Sequence, residues 1–281
     1  MKLKFGGFLL LLLLLQTSIY SQFINNIVED ESMLYAHTKQ VNQFFRRFNG
    51  EENRYGERLS TKDSLYHSSK YRKRFIEMLF DKENPNINPR LKTEFIFNCT
   101  RLNHEKFLDF HGGSYFAEVK TSFVYKGEQK DCVLFLKLQE EEVGSKWVIT
   151  NVMFEPFLKQ FINAEKLPEI DRKFLHPLSH ELDFMNLIKV FTSKAIIEQF
   201  AEKNYKPDFL TLFIYEFKNS NLQFTTVKDV KFHFFQLDGW YFELSKFNRK
   251  SNNSGWLISN LLKITDTDRT ILKSLIFRKD Q

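Results

Sequence analysis

Helical periodicity followed by short aromatic strands, and then the same order a second time, constrains this chain more than any other feature. From Ser32 to Phe48, the positions Leu34, Tyr35, Val41, Phe44, Phe45 and Phe48 recur mostly three and four apart. That spacing predicts an amphipathic helix, stopped at Asn49–Gly50. "STKDSLYHSSKYRKRFIEMLFDKEN" continues the helical texture, with Phe75, Ile76, Leu79 and Phe80 as its apolar stripe and "NPNINP" as its end. The segments "LKTEFIFNC", "SYFAEVKTSFVYK", "DCVLFLKLQ" and "KWVITNVMF" are short, β-branched and aromatic, and read as strands joined by hairpins.

The order then restarts. "EPFLKQFINAEKLPEIDRKFLHP" is a connector marked by Pro156, Pro168 and Pro177. "SHELDFMNLIKVFTS" and "KAIIEQFAEKN" read as helical, with Ser179 as a cap, and "DFLTLFIYEFK", "TTVKDVKFHFFQL", "GWYFELSKF" and "GWLISNLLKI" as strands. The closing "TDRTILKSLIFRKD" fits a helix or an added strand. Trp147, Ile149 and Asn151 recur as Trp256, Ile258 and Asn260, each 109 residues on. Phe123 and Tyr125 meet Phe232 and Phe234 at the same offset, whereas Cys132, Leu134 and Leu136 meet Trp240, Phe242 and Leu244 at 108. A one-residue slip inside a strand would turn its core face outward, so the difference belongs in a loop. Helices first and antiparallel strands afterwards define an α+β class.

This element order resembles the nuclear-transport-factor-2-like superfamily, in which helices are wrapped by a curved antiparallel sheet and the last strand carries a Trp-led stretch like "KWVITNV". The resemblance implies two tandem cone-like domains, the first at 32–155 and a second, shorter one at 179–281, with a linker at 156–178. The "YSQ" after the apolar run, and "FFRRFNGEE" and "FLHPLSHELDFMNL", also resemble secreted proteins of Bacteroidetes bacteria. Members of the superfamily include isomerases and dehydratases as well as binding and assembly modules, so fold alone does not choose a function.

The N-terminus supplies an address. Lys2 and Lys4 precede an unbroken apolar run from Phe5 to Leu15, followed by "QTSIYSQ". Residues 1–21 thus read as a secretory signal peptide, too short for a spanning helix of roughly 20 apolar residues. No cysteine follows the run to take a lipid, so the expected product is periplasmic or secreted, with no stable membrane span after cleavage. Removal of the segment leaves 39 of 41 basic residues against 35 acidic, a net charge of about +4. Basic residues cluster only in "KYRKRF", which excludes the sustained basic surface of a nucleic-acid-binding protein. The 32 phenylalanines can fill more than one core.

Candidate chemistry is sparse. Alternation along the strands sets Cys99 beside Phe95 and Phe97, and Cys132 beside Leu134, Leu136 and Leu138. The pair could form a disulfide in an oxidising compartment or stay as two buried thiols. Asp109 and His111, two apart with Tyr115 nearby, are the closest approach to a proton-transfer pair, but "HGGS" reads more naturally as a turn in which both side chains are solvated. His176 and His180 are four apart beside Glu181, but Pro177 favours a helix starting between them, which separates the two as metal ligands. Asn151 and Asn260 lie in phase with their strands' Trp and Ile, so each amide needs a partner in the chain or in a ligand. No nucleophile elbow, phosphate loop, dinucleotide fingerprint or metal-binding cysteine set occurs, and no cofactor is expected. The resulting expectation is a non-enzymatic protein that binds a protein, glycan or small apolar ligand. The alternatives are an enzyme using the first domain's pocket, or a scaffold in an envelope or conjugation assembly.

Overall fold

Val41–Asn49 forms the first helix among the described residues, α1, and buries Phe44, Phe45, Phe48 and Asn49. It ends where Gly50 takes φ 71° and returns its N–H to the carbonyls of Arg46 and Arg47, the left-handed cap that glycine adopts without strain. A side chain there would set Cβ 2.6 Å from Cγ of Arg72. The structure is a computed structural model describing residues 40–53, 55–161, 174–191, 194–202, 205–249 and 253–277. The signal-peptide reading and the first turns of the helix expected from Ser32 fall outside the described residues.

Helix α2 is Ser69–Met78, burying Arg72, Phe75 and Ile76. The next element corrects the sequence reading. "LKTEFIFNC" is not a strand but lies within helix α3, Pro89–Thr100. Asn88 caps it by accepting hydrogen bonds from the N–H groups of Arg90 and Leu91 at 2.9 and 3.4 Å. Pro89 occupies the first turn, where its missing N–H costs nothing. The buried set is Phe95, Ile96, Cys99 and Thr100, the face of a helix, while Phe97 is 58% exposed. "NPNINP" therefore starts a helix as well as ending one.

Strands β1 (Tyr115–Tyr125), β2 (Glu128–Glu141) and β3 (Gly144–Phe154) form a meander. A short helix α4 (Glu155–Leu158) follows, then a 3₁₀ turn at Pro177–Leu182, helix α5 (Leu187–Phe191) and a second 3₁₀ turn at Lys194–Phe200. His176, not Ser179, caps the first of these turns, its Nδ1 accepting from the Leu178 N–H at 3.2 Å. Ser179 is buried, and its Oγ accepts from Asn186 Nδ2 at 2.7 Å.

"DFLTLFIYEFK" is the second apolar segment expected as a strand that folds as a helix, α6, Phe209–Lys218. Asp208 caps it, one carboxylate oxygen accepting from the Leu210 and Thr211 N–H groups at 3.0 and 3.2 Å. Strands β4 (Leu222–Phe234), β5 (Trp240–Phe247) and β6 (Gly255–Lys263) then follow, and the closing segment is a helix, α7, Asp266–Phe277.

All six strands belong to one sheet, in the order β3-β2-β1-β4-β5-β6. β1 pairs antiparallel with β2 and with β4, and β2 with β3. The chain is thus mixed α and β around a six-stranded open sheet. Two compact units are defined by contact density, and both are discontinuous. Of the described residues, one comprises those up to Phe110 with those of Leu244–Leu261, the other those of His111–Glu243 with those from Leu262 onward.

In the first unit, Phe48 and Phe95 meet edge to face at 6.2 Å, and Phe80 and Phe95 at 5.9 Å. Phe80 also makes a parallel bridge with Ile258, supported by Ile258 N–H to Leu79 O at 2.8 Å and Asp81 N–H to Ile258 O at 3.0 Å. In the second unit, Phe123, Tyr125, Cys132, Val152, Phe154, Phe157, Phe213 and Leu222 form one cluster, partly from α6. Phe116, Phe135, Phe235, Tyr241 and Ile264 form another, against which Leu272, Ile276 and Phe277 of α7 pack.

One irregularity overturns an expected face. Leu136 pairs with Ile149 but Phe135 with Asn151, leaving Thr150 as an extra residue. Such a bulge reverses the phase of everything beyond it. Asn151 therefore shares the side of Phe135 and α7, not that of Trp147 and Ile149.

Candidate functional site

The residues singled out from sequence do not converge. Asp109 and His111 lie on an exposed loop ahead of β1, and His111 Nδ1 is 3.0 Å from Ser145 Oγ. Tyr115 is 2% exposed, stacked on Phe234 at 5.1 Å and edge to face with Trp147 at 5.9 Å. Asn151 donates to the Phe277 carbonyl at 3.4 Å and accepts from the Val152 N–H at 2.9 Å. Its amide is thus spent within the chain, tying β3 to the end of α7. Asn260 is half-buried on β6.

Cys99 and Cys132 are both free and buried. Burial pushes each thiol up to about 12. His180 Nδ1 lies 3.0 Å from the Pro177 carbonyl. Among the described residues, no three His, Cys, Asp or Glu side chains gather as a metal site, and no helix is long and apolar enough to cross a membrane.

Two arrangements were not anticipated. The first is a polar chain in the second unit. Glu118 Oε2 is 2.9 Å from His233 Nε2, His233 Nδ1 is 2.8 Å from Tyr241 Oη, and Tyr241 donates to Glu243 Oε1 at 2.7 Å. His233 is 3% and Tyr241 1% exposed, and the ring of Phe116 stacks on His233 at 4.9 Å. The hydrogen bond from His233 holds the Glu118 carboxyl below the usual carboxylate range, against the opposing effect of burial. Burial pushes the Tyr241 phenol well above its ordinary value, with Glu243 adding to the effect. The sequence signal was a histidine set in step with Lys231 inside the phenylalanine run "KFHFF", and a Tyr–x–Glu on the next strand. A run so aromatic reads as core, which hides the polar member.

The second arrangement is a cleft in the first unit of about 80 Å³. Its apolar wall includes Phe44, Phe75, Met78, Leu79, Trp256 and Leu257, and Gln40, Gln43, Arg47 and Ser254 are its polar lining. Gln43 and Arg47 sit four apart, on one side of α1. Behind them Glu52, wholly buried, accepts from Gln43 Nε2 at 2.8 Å, Arg46 Nε at 3.1 Å and Arg47 Nε at 2.9 Å. Among the described residues, the Nη atoms of Arg47 engage no partner. Two guanidinium groups against one carboxylate leave a net positive charge beside an apolar wall. This was beyond sequence reasoning because "KWVITN" and "GWLISN" look alike, whereas Trp256 lines a cleft and Trp147 is 37% exposed on another strand.

Compared with known proteins, the chain matches no protein-family model, no curated protein and no solved structure.

Proposed function

We propose that this is a non-enzymatic binding protein, exported by its N-terminal segment, that takes the short branched apolar end of a carboxylic acid into the Trp256 cleft. The observation that carries this reading is the pairing of an apolar wall with Arg47, whose Nη atoms are unengaged among the described residues. Guanidinium recognises carboxylate through two parallel hydrogen bonds. The cleft, at about 80 Å³, is roughly half the size of a 150 Å³ cavity that holds benzene, so the apolar end is on the order of four carbons. The ligand could be a free branched-chain acid or the C-terminal leucine of a peptide, since both present the same chemistry. The buried centre of the Glu118–His233–Tyr241–Glu243 chain supports a non-catalytic reading, because a substrate atom has no approach to groups 3% and 1% exposed.

Tryptophan fluorescence tests this directly, with 4-methylpentanoate and N-acetyl-leucine as the two acids and 4-methylpentanamide as the neutral control. The acids are expected to give a saturable change with Kd about 1 mM, the scale open to so few atoms. The change is expected to vanish in W256F, and binding to weaken about tenfold in R47M. An equal response to the amide, or none that saturates, overturns the reading. Preference for N-acetyl-leucine assigns the peptide source.

We also infer that the two halves are copies of one helix-plus-three-strand unit, to each of which the nuclear-transport-factor-2-like resemblance applies. Two observations support this. The strand order sets the three strands of the first half on one side of the β1–β4 junction and the three of the second half on the other. Within that pair, Lys120 faces Asp229, 109 residues on, the same offset that separates Trp147 from Trp256. A two-fold axis relating such copies would pass at a pair with that separation; Lys120–Asp229 at the middle of β1 meets that condition, and the two register shifts that follow it, which leave Tyr125 opposite Leu222, depart from exact symmetry.

A further inference from the structure

Glu118, His233, Tyr241 and Glu243 make three contacts in a row, and each contact needs a hydrogen. A neutral imidazole and a phenol bring one each, and two ionised carboxylates bring none. One hydrogen is missing from that count. With His233 at 3% and Tyr241 at 1% exposure, water has no access to the central contact between them, while the carboxylates at the two ends are each 17% exposed. Two acceptors facing each other at under 3 Å without a hydrogen would repel, at the full cost of buried unpaired polar groups.

We propose that this chain of side chains is a proton-binding site, holding one proton beyond a neutral histidine, a tyrosine and two carboxylates, and that release of that proton loosens the seat of α7. The extra hydrogen resides on the imidazole. Tyr241 spends its own hydrogen on Glu243, so His233 Nδ1 must donate to Tyr241 Oη while Nε2 donates to Glu118. The depressed Glu118 carboxyl and the elevated Tyr241 phenol agree with an ionised acid and an intact O–H.

The link to α7 is a run of rings. Phe116 stacks on His233 at 4.9 Å and meets Phe277 at 4.6 Å. Tyr241 belongs to the same cluster that receives Leu272, Ile276 and Phe277.

The charged surroundings oppose one another. Lys120 on β1 and Lys231 on β4 act on Glu118, and Lys231 Nζ lies 3.9 Å from Glu243. On α7, Lys273 sits 5.0 Å over the Phe235 ring, with Arg269 of α7 and Lys137 of β2 near enough to act on it. These cations favour release of the proton, and the two carboxylates oppose it. The sign follows from the count. At lower pH the hydrogen is present and all three contacts stand; raising the pH removes it, and that part of the stability is lost. On the acid side Glu118 keeps its charge until the pH falls through its lowered value.

The Glu243→Gln variant tests the count without changing shape. Its carboxamide donates to Tyr241 Oη, Tyr241 can then donate to His233 Nδ1, and Nε2 still donates to Glu118. Ring ¹⁵N spectra of the full chain at pH 7 are expected to show both His233 nitrogens protonated in the wild type and one in E243Q. Amide-exchange protection of α7 is expected to fall about tenfold as the wild-type ring loses its proton, and to stay level in E243Q. Glu118→Gln supplies the missing hydrogen from the other end and is expected to behave as E243Q does, which guards against a folding defect peculiar to one site. A wild-type ring carrying a single hydrogen at pH 7, or equal protonation in all three proteins, overturns the proton site. Unchanged α7 protection across the wild-type titration overturns its link to the helix.

Discussion

Arg72 is wholly buried, yet among the described residues its charge has no carboxylate at bonding distance. Nε donates to the Phe48 carbonyl at 3.2 Å, Nη2 donates to the Lys106 carbonyl, and the guanidinium lies 4.0 Å over the Phe107 ring. Desolvation lowers it to about 10, and Nη1 has no partner among the described residues. One side chain thus holds the end of α1 and the loop before β1 at once, and its Cγ forbids a side chain at position 50. Arg72→Ala is expected to cost about 3 kcal/mol, because it strands two buried carbonyls and empties the space between Phe48 and Phe107. Urea unfolding checks this; a loss under 1 kcal/mol would mean that loop and helix do not depend on the guanidinium. The sequence showed only "KYRKRF", which reads as a solvated basic face. Burial of one arginine within it is decided by residues 24 and 34 positions away.

The two misread segments among the elements share a cause. "LKTEFIFNC" and "DFLTLFIYEFK" are aromatic enough for strands, but each is preceded by a residue whose side chain accepts from the first free N–H groups, Asn88 and Asp208. Local capping outweighed β-propensity, which depends on packing context more than on the backbone. The strand "KWVITNVMF" was read correctly as a strand and wrongly as one uninterrupted face. Thr150 is the residue that turns it, with its hydroxyl on the Phe135 carbonyl at 3.2 Å. Deleting Thr150 is expected to return Asn151 to the side of Trp147, to remove its bond to the Phe277 carbonyl, and to lower Tm by at least 5 °C. Thermal melts with near-ultraviolet circular dichroism would show it. An unchanged melt would mean that the bulge moves along the strand at no cost.

For the molecule as a whole, the central pairing joins the halves. β1 runs beside β4 from Tyr115/Phe234 to Tyr125/Leu222, with two register shifts between. A first half expressed alone would expose that edge of β1, which invites pairing with other copies. Residues 22–161 are therefore expected to associate or to lack a cooperative melt, and to regain one when mixed with residues 174–281. A sharp, concentration-independent melt of the first half alone would instead favour two self-sufficient domains.

The class of the fold and the phase of most strands were legible in the sequence, because period-2 alternation and turn residues act over a few positions. Only tertiary structure decided what those strands bring together. Glu118 and His233 are 115 residues apart in the chain, and Arg47 and Trp256 line one cleft from opposite ends of it. Periodicity reports which way a side chain points; it carries no information on which distant side chain points back.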